Sequence, residues 1–338
     1  MNILVVDDSA FMRKIVTDLL EKMPNIHVSN TARNGQQALK ILCEQKQPDL
    51  VLLDVEMPIL NGLETLKEIK RLYDIPVIML SALSNKDVTI EALALGAADF
   101  VEKPTNIREI QEEWIREFYN KIKSIHMQKR RPNRKRVEKV EPAAPSIKER
   151  SLPSRVQAVV IGASTGGPKA LLKVMQALPA SLSIPIFIVQ HMPKGFTSSF
   201  AQRMNDESAV TVKEAQDGML VEKCVYLCPG DFHMTVKQGK IQLNQEMKIH
   251  GTRPAVDYLF ESAAQLYRRE LVAVLLTGMG KDGTEGMREI QRLGGYTIAQ
   301  DKETSVVFGM PRQAILSGVV NEVLSLDEIA AKVKQIVR

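Results

Sequence analysis

Short apolar runs that end at a polar or charged residue, each followed by apolar residues at helical spacing, recur through the first 125 residues of the chain. They lie at Ile3 to Val6, Val28 to Ala32, Leu50 to Leu53, Val77 to Leu80 and Asp99 to Val101. Between them the spacing turns helical, as in Ile41 and Leu42 after Ala38, or Leu63, Leu66 and Ile69. Runs this short and this uniformly apolar suit strands buried on both faces, and alternation with helices demands parallel strands joined by crossovers. The expected fold is a parallel, doubly wound α/β sheet of five βα units.

From about residue 126 to 154 the periodicity gives way to Arg, Lys, Glu and Pro, including Pro132, Pro142, Pro145 and Pro153. Composition predicts a flexible linker here. Alternation then resumes, with strand candidates at Ala158 to Ile161, Pro185 to Gln190, Cys224 to Leu227, Leu271 to Leu276 and Tyr296 to Ala299. Thr235 to Val236, Gln238-Gly239 and Ile241 to Leu243 read as a hairpin inserted into a second α/β domain. Ser325 and Glu328 form a capping-box pattern opening a helix that carries Leu326, Ile329, Val333 and Ile336. The expected division is a first domain over 1–125, a linker over 126–154 and a second domain over 155–338, as befits 338 residues.

The net charge of +5 is local, because Lys129, Arg130, Arg131, Arg134, Lys135 and Arg136 lie together in the linker and the remainder is slightly negative. Between two globular patterns such a run reads as a solvated linker, so no nucleic-acid partner is expected. No apolar run approaches the ~20 residues that span a bilayer, and Met1 leads directly into a strand pattern without the features of a signal peptide. A cytoplasmic protein without membrane insertion is expected. Three cysteines, Cys43, Cys224 and Cys228, show no pairing or metal-binding framework and read as buried thiols.

In an open parallel sheet, groups at the carboxyl ends of the strands converge on one crevice. Asp7, Asp8, Asp54, Ser81 and Lys103 all fall at such ends. Three carboxylates crowded together repel unless a hard cation sits among them, and a small oxygen site that keeps water suits Mg²⁺. Asp54 can then attack a phosphoryl donor, Lys103 can neutralise the phosphoryl oxygens, and the Ser81 hydroxyl can donate to one of them.

After Val159-Val160-Ile161 comes Gly162-Ala163-Ser164-Thr165-Gly166-Gly167-Pro168, which reads either as a phosphate cradle or as a nucleophile elbow exposing Ser164. The absence of a Walker lysine and of G-x-G-x-x-G disfavours a nucleotide. A serine nucleophile needs a base. Of His27, His126, His191, His233 and His250, His191 ends a buried-strand pattern and is the first candidate, with His233 after Pro229-Gly230 its rival. Asp282 follows the strand Leu271 to Leu276 and suits the orienting carboxylate, ahead of Asp257 and Asp301. The order Ser, His, Asp differs from that of α/β-hydrolases. Thr165 or Met279 is placed to supply an oxyanion donor.

The first 120 or so residues resemble the receiver domain of two-component response regulators, through Asp7-Asp8, Asp54-Val55-Glu56-Met57-Pro58, Ser81 and Lys103-Pro104. The resemblance implies a flavodoxin-like (βα)5 fold and an aspartyl phosphate at Asp54 donated by a histidine kinase. It also implies Mg²⁺ held by Asp8, Asp54 and the Glu56 backbone carbonyl with Asp7 assisting, and a switch aromatic at Phe100. Asn61 stands where receivers commonly carry an acid. From Arg155 onward the chain resembles the catalytic domain of the CheB-type chemotaxis protein-glutamate methylesterases. The shared motifs are Gly162 to Gly167, Gln190-His191-Met192-Pro193, Pro229-Gly230 with His233, Arg253-Pro254-Ala255-Val256-Asp257, Thr277 to Gly283 and Phe308-Gly309-Met310-Pro311.

That family resemblance implies hydrolysis of glutamyl methyl esters on methyl-accepting chemotaxis receptors, with deamidation of selected glutamines, by Ser164, His191 and Asp282. No cofactor is expected for the ester hydrolysis itself, and a monomer is expected. The receiver is expected to pack over the esterase crevice until phosphorylation loosens it. Two alternatives are a receiver-controlled DNA-binding regulator, which the linker charges would serve, and a docking module that binds receptors without turnover.

Overall fold

A computed structural model of the chain describes residues 1–103, 112–129 and 151–338. Pro104 and the basic run Arg130 to Arg136 lie outside the described residues. The chain divides into two compact units, Met1–Arg134 and Lys135–Arg338. Among the described residues no helix is long and apolar enough to cross a membrane.

In the first unit β1 (Asn2–Val6), β2 (His27–Ala32), β3 (Leu50–Asp54), β4 (Val77–Ser81) and β5 (Asp99–Glu102) form one sheet in the order β2-β1-β3-β4-β5. Every pairing is parallel. All residues of β3 and β4 are buried, which explains why their sequences are continuous apolar runs rather than alternating ones. Order reverses between β1 and β3, so their carboxyl ends flank the crevice where a doubly wound sheet takes its ligand.

The helices are α1 (Ala10–Glu21), α2 (Gly35–Glu44), α3 (Gly62–Leu72), α4 (Lys86–Ala94) and α5 (Glu112–Lys129). Ser9, Asn34 and Asn61 cap the first three by accepting the N–H of Met12, Gln37 and Glu64. Each such cap is worth ~1 kcal/mol. Asn61, at the position where receivers commonly carry an acid, thus has a local task as the start of α3.

Two expectations change here. Cys43 is exposed while Cys224 and Cys228 are buried. On α2 the inward face carries Ala38 and Leu42, and the next residue is rotated outward. The expected boundary at 125 also falls inside a helix, since α5 continues to Lys129. Its buried stripe of Phe118, Ile122 and Ile125 extends to His126 and carries the helix onward.

Among the described residues the second unit holds seven parallel strands, β6 (Ala158–Ala163), β7 (Ile186–Gln190), β8 (Val212–Glu214), β9 (Val225–Leu227), β12 (Leu271–Leu275), β13 (Tyr296–Gln300) and β14 (Glu322–Leu324). Their order is β14-β13-β12-β6-β7-β9-β8. Between β9 and β12 comes the hairpin, β10 (His233–Lys237) and β11 (Lys240–Asn244), turning through Gln238 and Gly239, both at positive φ. Two left-handed turn residues match the right-handed twist of the strands they join.

The helices of this unit are α6 (Gly167–Gln176), α7 (Phe196–Asp206), α8 (Val256–Tyr267), α9 (Thr284–Arg292), α10 (Met310–Leu316) and α11 (Leu326–Ile336). Helix α8 buries Val256, Leu259, Phe260, Ala263 and Ala264, a spacing that keeps one face on the sheet and the hairpin. The capping box of Ser325 and Glu328 is present at the start of α11. The topological switch falls between β6 and β12, and β7 lies on the other side of β6. Loops after these three strands carry Ser164, Asp282 and His191.

Candidate functional site

The first unit gathers its acids as expected from strand ends. One oxygen each from Asp7, Asp8 and Asp54 lies within 4.8 Å of the others. Asp7 and Asp54 are buried and Asp8 is exposed. Lys103 Nζ lies 2.8 Å from Asp7 Oδ2 and 2.7 Å from Asp54 Oδ1. Burial pushes the Asp54 carboxyl up to about 6, helped by the charges of Asp7 and Asp8 and opposed by Lys103. An all-oxygen, multiply charged donor set of this kind fits a hard divalent ion such as Mg²⁺.

Ser81 is placed differently. Its hydroxyl bonds to Thr89 Oγ1 and the Ala82 carbonyl rather than to Asp54 or Lys103. Phe100 is buried, with Lys121 Nζ 5.5 Å from its ring centroid and 2.9 Å from its carbonyl oxygen.

In the second unit His191 Nε2 lies 2.7 Å from Asp282 Oδ2. This leaves Nδ1 as the basic nitrogen, the reverse of the ring orientation in the chymotrypsin-type triad. Asp282 is 2% exposed and fully engaged: Oδ2 also accepts the Val256 N–H at 2.7 Å, and Oδ1 accepts those of Asp257 at 3.0 Å and Gly283 at 2.9 Å. Burial raises the carboxyl, but the His191 bond and charge and the N–H donors outweigh it and hold Asp282 below the ordinary range.

Ser164 sits between the ends of β6 and α6, half-buried, with its N–H donating to the Thr277 carbonyl at 3.0 Å. Its hydroxyl makes no hydrogen bond among the described residues, to His191 or otherwise. Such contacts commonly tighten only when substrate binds. The Gly278 loop packs against the serine so closely that a Cβ there would lie 2.8 Å from Ser164 Cβ. Since the Ser164 N–H is spent, oxyanion donors must come from neighbours. The backbone N–H groups of Thr165 and Met279 donate to nothing among the described residues.

His233, the rival base, is committed elsewhere. Its Nδ1 accepts the Ala255 N–H at 3.2 Å, so Nε2 carries the proton and donates to the Met247 carbonyl at 3.2 Å. Burial lowers its pKa, with that carbonyl opposing. The ring stacks on Tyr258, centroids 4.0 Å apart, and so ties the hairpin to α8.

Asp257, a weaker candidate in the sequence, is buried behind Asp282 and accepts the Gly286 N–H at 2.8 Å. Burial, followed by the Asp282 charge, pushes its carboxyl up to about 7. A carboxyl raised on folding contributes stability that is fully present below its unfolded value and lost as pH rises through its folded value. Wild type is therefore expected to lose stability between 3.8 and about 7 through this group. Asp257→Asn, which keeps the acceptor for Gly286 without the charge, is expected to gain on wild type in melting temperature across that window. A constant difference would contradict it.

Gln190 stands in the sequence as a strand end and as the first residue of the Gln190-His191-Met192-Pro193 motif, with no role attached, and its side chain bonds both Ser164 and His191 main chains. Nothing local in the sequence signals that bond, which joins two strands.

Together the two units define a class of protein in which a receiver-type acidic site is joined to an α/β unit bearing a serine, a histidine and an aspartate at neighbouring strand ends. The response regulator receiver domain model matches residues 3–114 and the CheB methylesterase model matches residues 159–333. The protein-glutamate methylesterase/protein-glutamine glutaminase of Pyrococcus horikoshii is 46% identical over 341 residues, covering 97% of this chain and 91% of its own. That of Clostridium acetobutylicum is 44% identical over 344 residues, covering 99% and 97%. The crystal structure of the Thermotoga maritima CheB methylesterase catalytic domain matches with a TM-score of 0.52 and 46% identity, covering 54% of this chain and 99% of that one. The chain belongs to the CheB methylesterase family.

Proposed function

We propose that the chain hydrolyses glutamate methyl esters on chemotaxis receptors, and deamidates selected glutamines there, by serine acyl transfer under control of phosphorylation at Asp54. The observation that carries the chemistry is the buried 2.7 Å contact between His191 and Asp282 beside a serine whose hydroxyl bonds to nothing among the described residues. His191 Nδ1 takes the Ser164 proton as the oxygen attacks the side-chain carbonyl. The N–H groups of Thr165 and Met279 receive the developing oxyanion, each such donor being worth ~3 kcal/mol. The imidazolium returns its proton to the departing methanol, and water, activated by the same ring, releases glutamate. A glutamine amide offers the same carbonyl and a poorer leaving group, so ammonia release follows the same path more slowly. Ser164, His191 and Asp282 come from one chain, so a monomer suffices.

In the first unit Asp8, Asp54 and the Glu56 carbonyl would hold Mg²⁺ with Asp7 assisting, and the ion would supply charge neutralisation to the transferring phosphoryl group. Asp54 accepts that group from a histidine kinase, and Lys103 pairs with its oxygens. Ser81 leaves Thr89 to donate to the phosphoryl oxygen, and Phe100 repacks with it, relieving a restraint on the crevice of the second unit. Incubation with a small phosphodonor and Mg²⁺ is expected to raise methanol release by wild type roughly 5- to 150-fold, about 1 to 3 kcal/mol of coupling. Asp54→Asn abolishes that rise. A phosphodonor response that survives Asp54→Asn would place the switch elsewhere.

A further inference from the structure

The strand ladder between β6 and β7 stops at the pair Ala163 and Gln190, one residue short of both Ser164 and His191. Beyond it the His191 N–H donates to the Ala163 carbonyl at 3.0 Å. The remaining tie is a side chain. Gln190 Nε2 donates to the Ser164 carbonyl and to the His191 carbonyl, each at 3.0 Å, and the residue is 2% exposed. Both partners are acceptors, so only the NH2 end of the amide fits there.

The other end of the amide explains a neighbouring residue. Gln190 Oε1 has no hydrogen-bond partner among the described residues, and a Cβ on Gly167 would come within 2.0 Å of it. Gly167 is absent from the residues of positive φ, so the site uses its small size and not its backbone freedom. Its own N–H donates to the Ser164 carbonyl at 2.7 Å. One carbonyl thus takes a helix N–H and the amide together, while the same amide holds the residue that carries the imidazole.

We propose that Gln190 is a positioning residue that clamps the main chain of the nucleophile to that of the base, and that Gly167 serves by leaving room for its amide. The clamp rests on the serine acyl-transfer chemistry set out above. Its consequence is specific. Gln190 touches no reacting atom, so its loss changes the Ser164 to His191 geometry that the transition state needs, and leaves substrate binding in place. A displacement of about 1 Å at such a pair costs about a hundredfold in rate. Glutamate at 190 does not substitute, because a carboxylate would set oxygen against two carbonyl oxygens.

The test is methanol release by the full chain with phosphodonor, comparing wild type, Gln190→Met, Gly167→Ala and Ser164→Ala, with melting temperatures alongside. Methionine keeps the length of the side chain and removes both bonds. Gln190→Met is expected to lower kcat about a hundredfold with KM little changed. Gly167→Ala, whose new methyl group displaces the amide, is expected to do the same. On a Gln190→Ala background the Gly167→Ala change is expected to cost less than it does alone, since the amide is gone and only the Ala163 Cβ, 2.9 Å from the new methyl group, still crowds it.

A kcat for Gln190→Met within about threefold of wild type, with Ser164→Ala inactive, overturns the clamp and leaves the serine chemistry standing. Should Gln190→Met not fold, a folded Gly167→Ala with wild-type kcat overturns it equally. Turnover that survives Ser164→Ala overturns the clamp and the serine chemistry together.

Discussion

Ser164→Ala is expected to lower methanol release by roughly 10⁴- to 10⁶-fold, the range over which loss of a nucleophile acts when its partners remain. The fold should not notice. The structural work of residue 164 is done by its main chain, whose N–H meets the Thr277 carbonyl and whose carbonyl meets Gly167 and Gln190. Alanine keeps all three contacts, and the hydroxyl it removes bonds to nothing among the described residues. Receptor binding should therefore persist while turnover disappears, measured as methanol release beside pull-down on receptor membranes. A docking module without catalysis would show no release in either form. A variant turning over within about tenfold of wild type would remove the serine from the mechanism.

Asp282→Asn is expected to cost about 10⁴-fold in kcat. The carboxylate accepts four hydrogen bonds, two at each oxygen, from His191, Val256, Asp257 and Gly283. An asparagine can serve only one pair. If its NH2 faces His191, donor meets donor, Nε2 must surrender its proton, and Nδ1 becomes protonated and useless as a base. If the NH2 faces Asp257 and Gly283, two N–H groups at the start of α8 and before α9 lose their acceptor. Each arrangement leaves buried donors unpaired, the Val256 N–H in the first and those of Asp257 and Gly283 in the second, at a cost of ~1 to 3 kcal/mol each. Loss of both kcat and melting temperature is therefore expected, in contrast with Ser164→Ala, where only kcat falls. Wild-type kcat in a folded Asp282→Asn would assign the orienting role elsewhere.

Much of this arrangement was legible because the chemistry sits at strand ends and the central strands are long apolar runs. All five strands of the first unit and the central strands of the second stand where periodicity predicts them. The edge strands β8 and β14 do not announce themselves. Each is three residues long, and Val212-Lys213-Glu214 offers a single apolar side chain. The boundary at 125 failed because a helix stripe outlasts the change in composition, and Cys43 because thiol chemistry says nothing about which side of α2 it occupies.

At the sites, proximity of strand ends brought Ser164, His191 and Asp282 into one crevice, and Asp7, Asp8, Asp54 and Lys103 into another. What the sequence left dark depends on bonds between distant segments. The commitment of His233 to Ala255 and Met247, the engagement of Ser81 with Thr89, the burial of Asp257 behind Asp282 and the two hydrogen bonds donated by the Gln190 amide each depend on segments brought together by folding. Only the strand-end geometry was encoded locally; its bracing was not.

The claim that an aspartyl phosphate controls a serine esterase within one chain is tested most directly by initial rates of methanol release from methylated receptor membranes. Wild type, Asp54→Asn and Ser164→Ala are assayed side by side, with and without a small phosphodonor and Mg²⁺. The expected result is a rate that the phosphodonor raises in wild type, a rate it leaves unaltered in Asp54→Asn, and no release above blank from Ser164→Ala under either condition. Methanol release by Ser164→Ala at the wild-type rate, or an equal phosphodonor response in Asp54→Asn, would contradict it.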